Sequence, residues 1–428
     1  MLLSNRVSVL APLAESLAAA ATIVARVAAG RSLSAEIEST EAGAEEARAA
    51  IRDLCYGTLR RYGRSQALVK ALSSRDQATA PLVQALLWCA FYALESGRYA
   101  DYTVVDQAAR ACVLLSEHRA KGYVNALLRN FLRSGQTLEP RLRADPEARY
   151  WHPGWWIERV RAAYPAEWEQ VLAAGNAHPP MTLRVNVRRS SVSEYAEALS
   201  ARGIGARALG GNALLLDKPL PVARLPGFGY GLVSVQDAGA QRAAPLLELE
   251  RGQRVLDACA APGGKSAHIL ELADVELTAL ELDADRCADI ERTLARLGLS
   301  ARVQVADCAA TERWWNGVPF DRILADVPCS ASGIARRHPD AKWLRRAGDL
   351  ERFAARQARI LDALWRTLAP GGKLLYVTCS VFTEENGAVI DAFLARTRGA
   401  RRAARAGPEQ LLPGPEHVGF FFAPLEKS

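Results

Sequence analysis

Residues 254–266 read R-V-L-D-A-C-A-A-P-G-G-K-S, and the fold turns on how this stretch is taken. An apolar run enters a Gly-rich turn, and a helical pattern leaves it. A phosphate-cradling loop needs Gly, four residues, then Gly-Lys-Ser or Gly-Lys-Thr, so that backbone N–H groups wrap the phosphates. Counting back from Gly264 places Cys259 where the first Gly belongs. The nucleotide-phosphate reading fails at that position. What remains is strand, turn and helix.

Downstream, the same alternation continues. E-L-T-A-L-E-L reads as a strand and A-D-R-C-A-D-I-E-R-T-L-A-R-L-G as a helix. A-R-V-Q-V-A-D and F-D-R-I-L-A-D-V-P-C are two further strands, and a long helix reaching Leu368 leads into G-G-K-L-L-Y-V-T-C-S. Apolar strands separated by amphipathic helices specify a parallel, doubly wound α/β sheet of Rossmann-like type, here over residues 236–428. Ligands of such a sheet sit at the carboxyl ends of its strands.

Three carboxylates fall at those ends: Glu281, Asp307 and Asp326. Glu281 lies about 20 residues past the loop, where this fold offers an acid to ribose hydroxyls. Asp307 closes the next strand, within reach of an adenine amino group. A ligand with ribose and adenine but no pyrophosphate suits a loop that lacks the full phosphate signature. S-adenosylmethionine is such a ligand. Two cysteines share that edge, Cys329 in L-A-D-V-P-C-S and Cys379 in Y-V-T-C-S, and each is followed by Ser. Buried cysteines are common as small apolar fillers. Two thiols and a carboxylate beside a methyl sulfonium instead suggest methylation of a carbon that is not itself nucleophilic. Carbon 5 of cytosine fits: a thiolate adding at carbon 6 makes carbon 5 able to attack the methyl. Charge then develops at ring nitrogen 3, where a protonated Asp326 is expected to donate.

Upstream, residues 1 to about 133 carry apolar residues at three- and four-residue spacing and read as successive helices. The opening M-L-L-S-N-R-V-S-V-L-A-P-L-A-E-S-L is expected to be part of a folded helix rather than a signal peptide, because Pro12 and Glu15 break its short apolar run. Polar residues between Ser134 and Arg149 suggest a linker. A small α+β segment follows at 146–235, opening on W-H-P-G-W-W and containing M-T-L-R-V-N-V-R-R, an alternating strand with one polar face. The domains are thus expected at 1–145, 146–235 and 236–428.

At 428 residues the chain exceeds one domain, and its 50% apolar and 24% charged composition specifies a packed globule. The formal charge is +7, carried mostly by Arg, whose planar fork suits phosphate. A GC-rich genome also enriches Arg, so composition leaves a nucleic-acid partner open. No run of about 18 apolar residues occurs, so no membrane span is expected. Eight Cys are scattered without a C-x-x-C pair, which argues against a disulfide framework and a zinc site and for a reducing cytoplasm.

D-A-C-A-A-P-G-G-K, L-A-D-V-P-C-S-A-S-G and V-T-C-S-V-F-T-E-E-N together resemble the RNA (cytosine-5) methyltransferases of the Nol/Nop/Sun family. The resemblance implies Cys379 as nucleophile, Cys329 as helper in product release, and Asp326 in contact with cytosine and methyl donor. It implies a cofactor site of Cys259, Ala260, Ala261, Pro262, Gly263, Gly264 and Lys265 with Glu281, Asp307 and Asp326. The Arg-rich I-A-R-R-H-P-D-A-K-W-L-R-R (334–346) follows the Pro-Cys turn, and Arg336, Arg337, Lys342 and Trp343 are expected to contact RNA. The tail H-V-G-F-F-F-A resembles the family's closing strand, with Val418 where an Asp is usual.

V-V-D-Q-A-A-R-A-C and K-G-Y-V-N-A-L-L-R-N make the helical domain similar to the NusB-type RNA-binding fold. A NusB-like domain ahead of this core resembles the Sun/RsmB branch, which implies 16S ribosomal RNA as substrate, free or in a partly assembled small subunit, and a monomeric enzyme. Two alternatives remain at this stage. One is a NusB-like RNA-binding or transcription factor with an inactive methylase core. The other is a DNA cytosine methyltransferase, which needs only the Pro-Cys thiol.

Overall fold

A computed structural model describes residues 13–39, 45–73, 79–404 and 407–428; the first twelve residues of the expected N-terminal helix lie outside them. The chain forms two compact units, Met1–Ala162 with His338–Arg346, and Ala163–Arg337 with Ala347–Ser428. The expected division at 1–145, 146–235 and 236–428 is finer than these two units. The first unit runs on to residue 162 and takes back a nine-residue excursion from the catalytic segment.

The first unit is helical. Its centre is the helix Pro81–Ser96, buried on nearly every side from Ala85 to Leu94, as befits a helix whose apolar residues encircle it. Leu17, Ile23 and Val24 of the helix Leu13–Ala28, and Leu54 and Cys55 of Glu45–Arg60, belong to the same core. Close approach is built into Gly57, because a Cβ there would meet the Tyr92 ring at 1.9 Å. The linker expected at 134–149 is helix instead. Lys121–Ala144 is one continuous helix, and Asp145 caps the next, Pro146–Tyr150. Its polarity is that of a solvated helix face, while Leu142 and Ala148 point into the core.

The second unit holds two sheets. The smaller has β1 (Thr182–Val185), β2 (Ala206–Gly210), β3 (Ala213–Leu216) and β4 (Val233–Val235) in the order β2-β3-β1-β4, antiparallel throughout. A helix at Val192–Ser200 starts on a capping box in which Ser191 and Glu194 satisfy each other's backbone N–H. The polar side of β1 does not face water, as its alternation suggested. Arg184 is fully buried, and its guanidinium grips both oxygens of buried Glu271 at 2.8 Å.

The larger sheet has eight strands: β5 (Arg254–Asp257), β6 (Glu276–Glu281), β7 (Arg302–Val305), β8 (Phe320–Asp326), β9 (Leu368–Thr378), β10 (Ala400–Arg402), β11 (Gln410–Leu411) and β12 (Phe420–Lys427). Their order is β10-β12-β9-β8-β5-β6-β7, with β11 on β12. Strands β5 to β9 are parallel, and β10 to β12 add antiparallel partners. Successive residues serve opposite faces. Leu256, Ile323, Leu374 and Tyr376 pack with Ile360, Leu361 and Leu364, whereas Val255, Leu324, Leu375 and Val377 pack with Ala267 and Leu294. Both faces are covered, which explains the nearly continuous apolar runs of the parallel strands. From β5 the order departs in opposite directions, to β6 and to β8. That switch point opens a crevice at the strand ends.

Candidate functional site

The crevice is a cleft of about 580 Å³ whose lining includes Cys259, Glu281, Asp307, Asp326, Cys329 and Cys379. Six residues that lie far apart in sequence meet there because five parallel strands end on one edge. Its volume lies within the range of small-molecule sites, about 300–1,000 Å³.

The Gly-rich turn forms the floor. Gly263 has φ +93°, and a Cβ there would lie 3.1 Å from the Ile290 Cα, so only Gly keeps this turn against its neighbouring helix. The helix Gly264–Leu272 starts at once, and Arg184 donates to the Gly264 carbonyl at 2.6 Å. Beneath the turn, Asp257 accepts from the Ser266 hydroxyl at 2.6 Å. Burial raises its carboxyl to about 6, against the opposing hydrogen bond of Ser266 and the charge of Lys265. Glu281 accepts from the backbone N–H of Leu282 at 2.9 Å and pairs with Arg286 at 3.3 Å. Asp307 is exposed at the rim, its Oδ1 accepting from Ala309 N–H at 3.0 Å. A turn narrowed to two glycines, with an acid at the end of β6 and another just past β7, fits a ribose and an adenine. No Gly stands at position 259 to complete a phosphate loop.

Lys265 reaches across from this floor and sets its ammonium 2.5 Å from Asp326. Burial pulls that ammonium's pKa down, but Asp326, Asp257 and Cys379 outweigh it and the net shift is upward. Sequence reasoning expected Asp326 alone to hold a proton. The structure sets the Lys265 side chain against that carboxylate, so a second proton donor stands beside the expected one.

The two thiols meet as the shared edge predicts. Cys329 Sγ and Cys379 Sγ are 3.4 Å apart, a hydrogen bond in which either can donate. That bond, followed by burial, pushes the Cys329 thiol well above its ordinary range. A further pair went unnoticed in the sequence: Cys259 and Cys308 lie 3.9 Å apart. The signal was available, since Cys308 adjoins Asp307.

The four residues expected to touch RNA lie elsewhere. Arg336 is buried and donates to the carbonyls of Gly414 and His178, each at 2.7 Å. Arg337 pairs with Asp237 at 2.8 Å. Lys342 is fully buried in the helical unit, its ammonium donating to the carbonyls of Trp151 at 2.8 Å and Arg60 at 2.9 Å. The Trp343 indole N–H donates to the Leu59 carbonyl at 2.9 Å, and its ring packs 5.1 Å from that of Tyr62. These side chains hold the fold together. A charge run reads as a binding surface only while its backbone acceptors are unknown.

Lys342→Ala is therefore expected to lower the stability of the helical unit by about 2–4 kcal/mol, because it leaves two buried carbonyls without a donor. Chemical unfolding followed by tryptophan fluorescence measures this. Weakened RNA binding with an unchanged unfolding midpoint would put Lys342 back at an RNA surface.

Residues 244–425 match the family described as 16S rRNA methyltransferase RsmB/F. Residues 152–223 match its ferredoxin-like domain, and residues 15–133 match the NusB family. Ribosomal RNA small subunit methyltransferase B of Pseudomonas syringae pv. tomato is 42% identical over 97% of this chain and 96% of its own length. The protein of that name from Vibrio cholerae is 40% identical over 89% of each. Among solved structures, PH0851 shares the fold with a TM-score of 0.80 at 22% identity, covering 97% of this chain and 99% of its own.

Proposed function

Because the chain belongs to the RsmB/F family of 16S rRNA methyltransferases, we propose that it methylates carbon 5 of a cytosine in that RNA through a transient bond to Cys379. S-adenosylmethionine, the family's cofactor, supplies an electrophilic methyl on a sulfonium. Residues 259–265, Glu281 and Asp307 are the groups that would hold it. The observation that carries the reading is the pair of sulfurs 3.4 Å apart in the cofactor cleft, beside the Lys265–Asp326 ion pair.

Each group then has one task. Cys329 retains its proton more strongly than an ordinary thiol. The Cys329 S–H stands 3.4 Å from the Cys379 sulfur, placed to donate to a thiolate formed there. The Cys379 thiolate adds to carbon 6, and the electrons of the ring double bond move toward carbon 5 and nitrogen 3. Nitrogen 3 takes a proton from Lys265 by way of Asp326. Carbon 5, now nucleophilic, would take the methyl of the bound donor, whose sulfonium–methyl bond breaks to leave a neutral thioether. Loss of the carbon 5 proton to solvent then expels the sulfur, the nitrogen 3 proton returns by way of Asp326 to Lys265, and the Cys329 S–H receives the departing thiolate. A DNA-type scheme with a single nucleophile in the Pro-Cys turn gives Cys379 no task.

The test uses 16S RNA transcribed in vitro, the enzyme and a methyl-labelled donor. One cytosine is expected to become resistant to bisulfite conversion, with stoichiometric label at that position. Label found on an exocyclic nitrogen or a ribose oxygen defeats the carbon 5 assignment.

A further inference from the structure

Both catalytic cysteines are followed by Ser, and the methyl-transfer chemistry gives those serines nothing to do. Their surroundings do. Glu385 is fully buried, and its carboxylate touches both cysteine turns at once. Oε1 accepts from the backbone N–H of Ser330 at 2.8 Å, and Oε2 accepts from the hydroxyl of Ser380 at 2.6 Å. The Gln357 amide adds a brace, donating to Glu385 Oε1 at 3.1 Å and to the Pro328 carbonyl at 3.0 Å. The peptide groups on either side of Cys329 are thereby fixed to one carboxylate.

The serines close the arrangement. The hydroxyls of Ser330 and Ser380 lie 3.2 Å apart, and those of Ser332 and Ser380 lie 2.9 Å apart. Ser332 accepts from Val381 N–H at 2.9 Å, and Gly333 N–H donates to the Cys379 carbonyl at 2.8 Å. Strands β8 and β9 are hydrogen-bonded neighbours up to Asp326 and Val377. Beyond that point the sheet no longer dictates the distance between the two turns, and the buried carboxylate takes over. Among the described residues no Lys or Arg pairs with Glu385; its charge is met by hydrogen-bond donors alone. A carboxylate placed this way is costly to bury unless every oxygen is satisfied, which ties its stability to the closed form of the two turns.

We propose that Glu385 is a positioning residue which, through Ser330 and Ser380, sets the distance between the sulfurs of Cys329 and Cys379. Its catalytic consequence rests on the covalent reading above, but the distance itself does not. A sulfur pair held in contact lets addition at carbon 6 and release share one hydrogen bond. A loosened pair lets Cys379 add while Cys329 is out of reach when the bond must break.

The experiment reads the spacing directly. An aromatic disulfide reagent reacts with one thiol to give a mixed disulfide, and the second thiol displaces the remaining aryl thiolate. Two aryl thiolates are released per Cys329–Cys379 bond, and peptide mass mapping identifies that bond. Glu385→Ala is expected to slow this closure by about tenfold or more, through loss of charge-assisted hydrogen bonds at 2.6–2.8 Å. Glu385→Gln, which can still accept from Ser330 and donate to Ser380, is expected within about threefold of the unmodified protein. Turnover should follow the same order, with kcat reduced, KM for RNA little changed and cofactor affinity within about twofold. If Glu385→Ala does not fold, Ser380→Ala removes one of the two contacts and should give an intermediate rate.

The Cys329→Ala protein is the control. If it traps a protein–RNA adduct while Glu385→Ala closes the disulfide and turns over normally, the clamp is wrong and the covalent mechanism stands. If it traps nothing, the covalent reading has failed, and the closure rate still decides whether Glu385 sets the spacing.

Discussion

Cys379→Ser is expected to leave S-adenosylmethionine binding within about twofold of normal while lowering methyl transfer by about a thousandfold or more. The first half follows from position. The groups proposed to hold the cofactor lie on the turn 259–265, at the end of β6 and past β7, whereas Cys379 follows β9. The second half follows from chemistry. A serine hydroxyl ionises far less readily than a thiol, and in the proposed mechanism the Lys265–Asp326 pair serves the base rather than activating the nucleophile. On the proposed division of roles, Cys329 serves release and does not replace the attacking sulfur. Calorimetric titration with the cofactor and label transfer to 16S RNA measure the two halves. Turnover retained above about one part in ten would move the nucleophile to Cys329 and reverse the roles assigned here.

Much of this site was legible before any coordinates. A parallel sheet delivers strand ends to one edge, so locating the ends of β5, β6, β7, β8 and β9 in the sequence was enough to bring the turn, three acids and two thiols together. What pattern reading missed was the destination of polar side chains inside the fold. Arg184 sits in an alternating strand and Lys342 in a run of basic residues, and both patterns describe solvated faces in most sequences. Here each is buried against acceptors distant in sequence: Glu271 for Arg184, and the Arg60 carbonyl for Lys342. Periodicity reports which residues share a face and is silent about what covers it. The linker at 134–149 failed for the converse reason, because a solvated helix face and a linker have the same composition. Glu385 was hidden in a different way. Its motif was visible, but a carboxylate five residues past a Ser has no meaning until the second cysteine turn is known to lie beside the first.

Cys329→Ala separates making the sulfur–carbon bond from breaking it. On the proposed mechanism, addition at carbon 6 consumes the Cys379 thiolate, and release regenerates it. Once formed, that thiolate has the Cys329 S–H within 3.4 Å as a donor. Removing the donor raises the energy of the free thiolate and leaves the adduct, in which the sulfur carries no charge, almost untouched. Both the barrier to release and the equilibrium therefore shift toward the covalent state. A hydrogen bond to a charged group contributes about 1.5–3 kcal/mol, which corresponds to release slowed by roughly 10- to 150-fold. A less stabilised thiolate is also a stronger nucleophile, so addition need not slow in proportion. A band with the combined mass of protein and RNA should then survive denaturing electrophoresis in Cys329→Ala, at a level approaching one adduct per active site. It should disappear in Cys329→Ala/Cys379→Ser. An adduct that persists in the double variant would show that another side chain bonds to the base, and normal turnover in Cys329→Ala would show that the departing sulfur needs no donor.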